Sequence, residues 1–340
     1  MFDRFSTPNV LAVRFSSIGD VLLITPLLRA IRRRYPGACI TVLTRQAYAP
    51  LLSHNPHLSR VIGVTTGQTL TSTAAELRAN RYTHLLDLHD SLRTRVLRTL
   101  VPGRWGTYPK YRLARAALIY AKRNCYRDSR PVAERYFAAA RDLDVQPDGA
   151  PPDFFLAPEA EREAADWLTR AKLAHERPMI ALAPGAAHAT KRWPLEHWRT
   201  LIQRVVNQGF DVSVVGGEDD APLGAALANG IASRVVNAAG LFGLQGTGAL
   251  LQRAAALVSG DTGLMHMATA VGTPVVALFG PTVRPFGFFP YTPRAQVIEL
   301  GLSCRPCSSK GGPRCPLGHH RCLVDIGPDL VYEALHRSLS

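Results

Sequence analysis

Two α/β domains in tandem, each a doubly wound parallel sheet with helices on both faces, are what this chain predicts. Three observations carry the prediction. Short apolar runs alternate with helix-length segments between residues 10 and 88, and the same alternation restarts at residue 159. Between the two stretches stand Pro147, Pro151, Pro152 and Pro158, which break helix and strand alike and read as a linker. The expected division is therefore residues 1–150 and 151–340, with a cleft between the domains.

The elements follow in order. An apolar strand spans residues 10–15, and the tight loop Ser16-Ser17-Ile18-Gly19 leads into a helix over 20–35, stopped by Pro36-Gly37. Residues 39–43 form the next strand, 47–52 a short helix, 60–64 a strand, 73–80 a helix and 84–88 a strand. After the prolines come a helix over 159–172, a strand over 179–183, a helix over 195–208 and a strand over 211–215 that ends at Gly216-Gly217. Residues 221–229 are helical, 235–236 a short strand and 244–253 a helix. The apolar run 254–258 is a buried strand, and 274–279 another. A terminal helix covers 328–339.

The segment between those last two strands is the most informative in the chain: Ser259-Gly260-Asp261-Thr262-Gly263-Leu264-Met265-His266. A helix opening at Asp261-Thr262-Gly263 aims free backbone N–H groups and a positive dipole end at the crevice beyond the strand ends. That suits a phosphate. The loop after the strand 179–183, Ala183-Pro184-Gly185 to Trp193-Pro194, adds the Thr190 hydroxyl and the cations Lys191 and Arg192 just before a helix. Such a set accommodates a diphosphate without a metal ion. Glu218, after Gly216-Gly217, is placed to bind sugar or ribose hydroxyls, with Asp219 as its rival and helix capping as the alternative. In the first domain, Asp20 stands at a helix start, as an N-cap or as a general base. The loop lacks the G-x-G-x-x-G pattern of a dinucleotide site. Asp142-Leu143-Asp144 matches a short D-x-D pattern that arises often by chance.

The chain of 340 residues carries 40 Lys+Arg against 26 Asp+Glu, a net charge of +14 that predicts an anionic partner. Between Ser91 and Arg130 stand eleven basic residues and one acid, Asp128. Nucleic acid is not the expected partner, because aromatics do not interleave with these cations as stacking platforms. No apolar run reaches membrane-spanning length and no signal peptide is evident at the N-terminus, so a cytoplasmic location is expected. Four cysteines cluster as Cys304-x2-Cys307-x7-Cys315-x6-Cys322. This spacing points to a structural zinc or iron site, with reduced thiols or a labile disulfide as alternatives.

Taken together, Ser16–Asp20, Lys191-x-Trp193-Pro194, Gly216-Gly217-Glu218 and Asp261-Thr262-Gly263-x-x-His266 resemble the heptosyltransferase family, glycosyltransferase family 9, in order and spacing across nearly the whole chain. The resemblance implies a GT-B fold: an acceptor-binding first domain and a nucleotide-sugar-binding second domain, both Rossmann-like. It implies inverting transfer of L-glycero-D-manno-heptose from ADP-heptose to the lipopolysaccharide inner core, at Kdo or the first heptose, without a catalytic metal. It implies that Asp20 is the base, with Ser17 and Gly19 beside the acceptor. Lys191, helped by Thr190, would stabilise the departing diphosphate. Thr262 and Gly263 would offer N–H groups to phosphate, Asp261 would orient that loop or touch the donor sugar, Glu218 would contact the nucleoside and His266 would support the pocket. Arg93, Arg95 and Arg98 are expected to face an acceptor rich in phosphates and carboxylates, and the basic face to allow peripheral contact with the inner membrane. The clustered cysteines, with Pro316-Leu317-Gly318-His319-His320, also resemble a segment found in part of the family. The competing readings are a GT-B transferase with another nucleotide-sugar donor or a protein acceptor, a basic nucleic-acid-binding protein with a four-cysteine metal module, and an inactive scaffold. The presence of Asp20, Lys191 and Asp261 speaks against the last.

Overall fold

The computed structural model describes residues 7–173, 177–229 and 234–339. They form two compact units, the first made of residues 7–110 with 130–155 and the second of the described residues in 111–129 and 156–339.

The first unit holds a five-stranded parallel sheet of β1 (Asn9–Val13), β2 (Cys39–Arg45), β3 (Arg60–Val64), β4 (His84–Asp87) and β5 (Trp105–Thr107), in the order β3-β2-β1-β4-β5. Helices on the sheet faces explain why β1 reads as an unbroken apolar run rather than an alternating one. Its core joins Leu11, Val13 and Phe15 to Leu43, Ile62, Leu85 and Leu97. The chain winds outward from β1 to β3, then returns to the other side of β1 with β4. That reversal leaves a crevice beyond the C-terminal ends of β1 and β4, and the loop carrying Asp20 follows β1 directly.

The second unit repeats the plan. Its six parallel strands are β6 (Met179–Ala183), β7 (Asp211–Val214), β8 (Val235–Asn237), β9 (Ala256–Gly260), β10 (Val275–Phe279) and β11 (Ala295–Glu299), in the order β11-β10-β9-β6-β7-β8. The winding reverses between β6 and β9, so the loops bearing Lys191 and Asp261 flank one switch point. Ile180, Leu182, Val212, Val258 and Leu278 pack there against Trp193, Trp198, Leu201 and the terminal helix Pro328–Leu339 through Val331 and Leu335.

Three expectations need correction. The helix expected over 20–35 is two helices, Ile18–Leu22 and Thr25–Arg34, the second opening with Pro26 in its first turn, where a missing N–H costs little. Between β4 and the proline-rich stretch lie the helices Leu92–Leu100 and Arg112–Tyr120 and the strand β5, which the sequence pattern did not assign. The segment Tyr111–Ser129, expected in the first domain, clusters with the second unit. The Lys122 ammonium donates there to the carbonyls of Cys304 at 2.9 Å and Pro306 at 2.6 Å.

Within the first unit the buried Arg29 ties the segment 148–153 to the helix Thr25–Arg34. Its guanidinium meets Asp148 at 2.9 Å and Asp153 at 2.5 Å and donates to the Pro151 carbonyl at 3.0 Å. The Arg29 hydrogen bond, outweighing burial, holds the Asp148 carboxyl below its ordinary value of 3.8. The folded protein therefore gains stability from ionised Asp148 above that value and loses it as pH falls through the lower folded value. Arg29→Ala should cost about 3–5 kcal/mol, since two carboxylates are left facing a partly buried site without a partner. Melting scans at pH 7 and pH 3 check this: the gap between wild type and Asp148→Asn should shrink at pH 3.

Candidate active site

In the first unit the site is built on the loop after β1. Asp20 is the third residue of the helix Ile18–Leu22 rather than its cap, and it reaches back to Ser17. The Ser17 hydroxyl donates to Asp20 Oδ2 at 3.2 Å and its N–H at 3.4 Å. The other oxygen, Oδ1, pairs with Arg14 Nη2 at 2.6 Å. Arg14 is buried at the end of β1, donating to the carbonyls of Leu88 at 2.6 Å and Ser16 at 2.9 Å. Burial disfavours its charge, but Asp20 and the nearby Tyr136 and Tyr108 more than offset this and raise its pKa. Arg14 is thus a fixed cation that orients Asp20. No sequence signal marked it beyond its place beside the loop. Gly19 is buried within the short helix, while Ser17 is exposed.

The three arginines of the helix Leu92–Leu100 divide between two places. Arg93 stacks over the Phe15 ring at 4.7 Å, beside the β1 loop. Arg95 and Arg98 line a pocket of about 650 Å³ with Asp90, Thr99, Trp105, Thr107 and Tyr108. Both face carboxylates: Arg95 lies 3.4 Å from Asp90, and Arg98 3.7 Å from the fully buried Asp87. Asp87 in turn accepts from the N–H groups of His89 at 3.0 Å and Asp90 at 2.7 Å. Burial, then Arg14 and Lys110, push His89 down to about 4, so its ring is neutral near pH 7 as it packs edge-on against Phe15.

In the second unit the two loops at the switch point meet. Lys191 Nζ sits 2.6 Å from Asp261 Oδ2 and 3.1 Å from the Asp261 carbonyl, with both side chains largely buried. The same carboxylate oxygen accepts from the Thr282 hydroxyl at 2.7 Å. An ammonium has three N–H donors, and the two acceptors on Asp261 leave one for an incoming anion among the described residues. Thr262 occupies the N-cap position of the helix Gly263–Ala270, and its hydroxyl lies 3.0 Å from that of Ser259. Lys191, paired with Asp261, stands beside a helix N-terminus whose backbone N–H groups face the same space.

The close approach of the loops depends on Gly260. A Cβ there would lie 2.9 Å from the Lys191 carbonyl oxygen. Gly260→Ala should shift the Lys191 backbone at a cost of about 1–3 kcal/mol. The expected outcome is a folded protein with lowered turnover, checked by circular dichroism and an activity assay on one preparation.

Thr190 is engaged otherwise than its sequence position suggested. Its hydroxyl donates to the Gly312 carbonyl at 3.1 Å and accepts from the Gly312 N–H at 2.8 Å. Its own carbonyl lies 3.0 Å from His320 Nε2. The cysteine-rich segment thus fastens the loop that carries Lys191. Arg305 anchors that segment, donating to the carbonyls of Gly280 at 2.5 Å and Thr282 at 2.8 Å and pairing with Glu299 at 2.8 Å. The structure does not show the structural metal site expected at these four cysteines. Cys304, Cys307, Cys315 and Cys322 are free thiols, and among the described residues no group of three or more His, Cys, Asp or Glu side chains is placed to hold a metal ion. Cys322 packs in the apolar core with Leu323 and Ile326. Burial first, then neighbouring thiols, push Cys322 up to about 11 and raise Cys307.

Glu218 is exposed on the turn Glu218–Asp220 after β7. Its neighbour Asp220 points inward, accepting from the Gly217 N–H at 3.0 Å and occupying the space a Cβ on Gly185 would need. His266 is buried one turn into the helix Gly263–Ala270. Residues that sequence reasoning did not assign are Arg14, Thr282, Arg305 and His320. Each acts by holding another group in place, and such roles leave no local pattern.

Comparison with known proteins follows the same lines. A model of glycosyltransferase family 9 (heptosyltransferase) matches residues 70–316. Lipopolysaccharide heptosyltransferase 2 of Salmonella typhimurium is 30% identical over 352 residues, covering 98% of this chain and 99% of that protein. Among solved structures, the E. coli ADP-heptose lps heptosyltransferase II matches with a TM-score of 0.75 at 27% identity, covering 97% of this chain and 98% of that one. A family 9 glycosyl transferase from Veillonella parvula matches with a TM-score of 0.83 at 22% identity, covering 99% and 98%, which is a likeness of fold. Among the described residues no helix is long and apolar enough to cross a membrane. With two parallel-sheet α/β units of the GT-B kind and a family match over most of its length, the chain belongs to glycosyltransferase family 9, the heptosyltransferases, and is a glycosyltransferase.

Proposed function

We propose that this enzyme transfers L-glycero-D-manno-heptose from ADP-heptose to the lipopolysaccharide inner core, at Kdo or the first heptose, with inversion at the anomeric carbon. The observation that carries the reading is Lys191 held by Asp261 beside the N-terminus of the helix Gly263–Ala270. A departing ADP gains negative charge on its β-phosphate, and the remaining Lys191 donor together with the helix N–H groups is matched to it. The Thr262 and Gly263 backbone then serves the phosphates, and Glu218 and the Gly185–Asp220 contact border the nucleoside. His266 supports that pocket from within the helix. Thr190 acts by holding the loop rather than by touching the donor. No metal ion enters the proposed step, so activity should be unchanged in excess chelator.

Asp20 takes the proton of the attacking acceptor hydroxyl. Inversion needs one base on the face opposite the leaving group, and Arg14 fixes one carboxylate oxygen of Asp20 while the other faces the exposed Ser17. Ser17 and the backbone at Gly19 border the acceptor. Arg93, Arg95 and Arg98 supply cations for its phosphates and carboxylates. The Salmonella typhimurium and E. coli relatives are named as lipopolysaccharide heptosyltransferases, and this supports the same acceptor class here. The proposed location is the cytoplasm, at the inner face of the membrane where such an acceptor is presented.

The test is a transfer assay read by mass spectrometry, with ADP-heptose and two acceptors, lipid A bearing its Kdo sugars and the same molecule with one heptose added. A heptose-sized mass gain on one of them is expected, inhibited by ADP far better than by UDP or GDP. No gain on either, with folded protein, would move the enzyme to another nucleotide sugar or to a protein acceptor.

A further inference from the structure

The helix Arg112–Tyr120 turns an apolar face outward in a strongly basic segment. Leu113 is 88% exposed and Tyr120 86% exposed, among the large apolar side chains of the chain that face solvent most. They stand seven residues apart on one helix, two turns along the same face and about 10 Å from each other. The opposite face is the packed one. Leu118 is buried there, and the Arg115 guanidinium lies over the Phe286 ring at 5.4 Å. The segment is fixed rather than loose: Lys122 bonds the carbonyls of Cys304 and Pro306, and the Tyr111 and Tyr126 rings meet at 5.5 Å. Arg112, at the start of the helix, and Arg123 and Arg127, just past its end, are exposed. Single exposed apolar residues are ordinary on a soluble protein. Two large ones in register on a rigid helix, flanked by exposed cations, have the form of an interfacial helix.

We propose that the helix Arg112–Tyr120 is a docking surface for an anionic phospholipid bilayer. Leu113 and Tyr120 enter the headgroup and upper acyl region, where a tyrosine ring sits well with one apolar and one wet end. Arg112, Arg123 and Arg127 pair with lipid phosphates. Charge complementarity selects this occupant: within Tyr111–Ser129, the part of the basic segment in this unit, stand five basic residues and one acid, Asp128. The purpose of the contact, bringing the enzyme to a lipid-linked acceptor, rests on the function proposed above; the binding itself does not.

The experiment is co-sedimentation of the full chain with vesicles of phosphatidylcholine alone and of phosphatidylcholine with about one-third phosphatidylglycerol. Wild type should bind the anionic vesicles at least tenfold better than the neutral ones, and high salt should weaken that binding. Leu113→Ser/Tyr120→Ser should lower partitioning at least tenfold, as should Arg112→Glu/Arg123→Glu, while Leu317→Ser, an exposed apolar residue elsewhere, should not. Transfer to a water-soluble, deacylated acceptor should be unchanged in all variants; this arm also separates failure of the docking surface from failure of the proposed reaction. Absence of wild-type binding to anionic vesicles would overturn the proposal, as would equal binding by Leu113→Ser/Tyr120→Ser. Concentration-dependent self-association lost in that variant, without vesicle binding, would assign the face to a second copy and overturn it too.

Discussion

Asp20→Asn is expected to lower turnover by about 10²–10⁴-fold, the range of a lost general base, with little change in either Michaelis constant. The amide keeps the shape of the side chain and can still accept from Ser17, so binding is preserved while the proton acceptor is lost. The change also removes the carboxylate that faces Arg14 at 2.6 Å. Arg14 retains its bonds to Leu88 and Ser16, so the fold should survive with a lowered melting temperature. Steady-state kinetics with ADP-heptose and the accepted acceptor, alongside a melting curve, separate the two effects. A fall in turnover of less than tenfold in folded protein would sink the assignment of Asp20 as base.

The second large effect is expected at the Lys191–Asp261 pair. Lys191→Ala should lower kcat by about 10²–10³-fold, the loss seen when one preorganised charge-stabilising donor is removed, and should weaken ADP binding measured by calorimetry. It also strands Asp261, which is only 9% exposed, without its cation, at a stability cost of about 3–5 kcal/mol. Lys191→Met/Asp261→Asn removes both charges and should recover much of that stability without recovering activity. That contrast is the useful one. If the double variant regained turnover together with its melting temperature, Lys191 would be a structural partner of Asp261 and not the group that meets the diphosphate. The effects of the single changes should not add, because the two side chains act as one unit.

The architecture was legible because parallel strands covered on both faces must be continuously apolar. β3 and β6 fall at the residues where the pattern put them, as does the terminal helix Pro328–Leu339. β5 escaped notice because it is three residues long and earns its place by pairing with Leu85–Asp87. The helix Leu92–Leu100 was hidden by the three arginines and two threonines of its sequence, LRTRVLRTL, in which only one narrow face meets the core. Asp20, Lys191 and Asp261 could be picked out because each sits in a loop directly after an apolar strand, where α/β sheets place ligands. Cysteine spacing reports proximity along the chain, whereas the burial of Cys322 among apolar side chains is decided by the fold.

What the sequence determined by itself is the order of elements, the two parallel sheets and the identity of the loops that carry chemistry, since strand burial, glycine and proline act within a few residues of where they are written. What only the tertiary structure decided is which groups meet. The ion pair of Lys191 with Asp261 spans 70 positions. The clasp of Thr190 by Gly312 spans 122. The outward face of Leu113 and Tyr120 emerges only once Leu118 and Arg115 have packed the other side of their helix. Contacts of this kind depend on where the chain returns in space, and no local pattern of residues encodes that return.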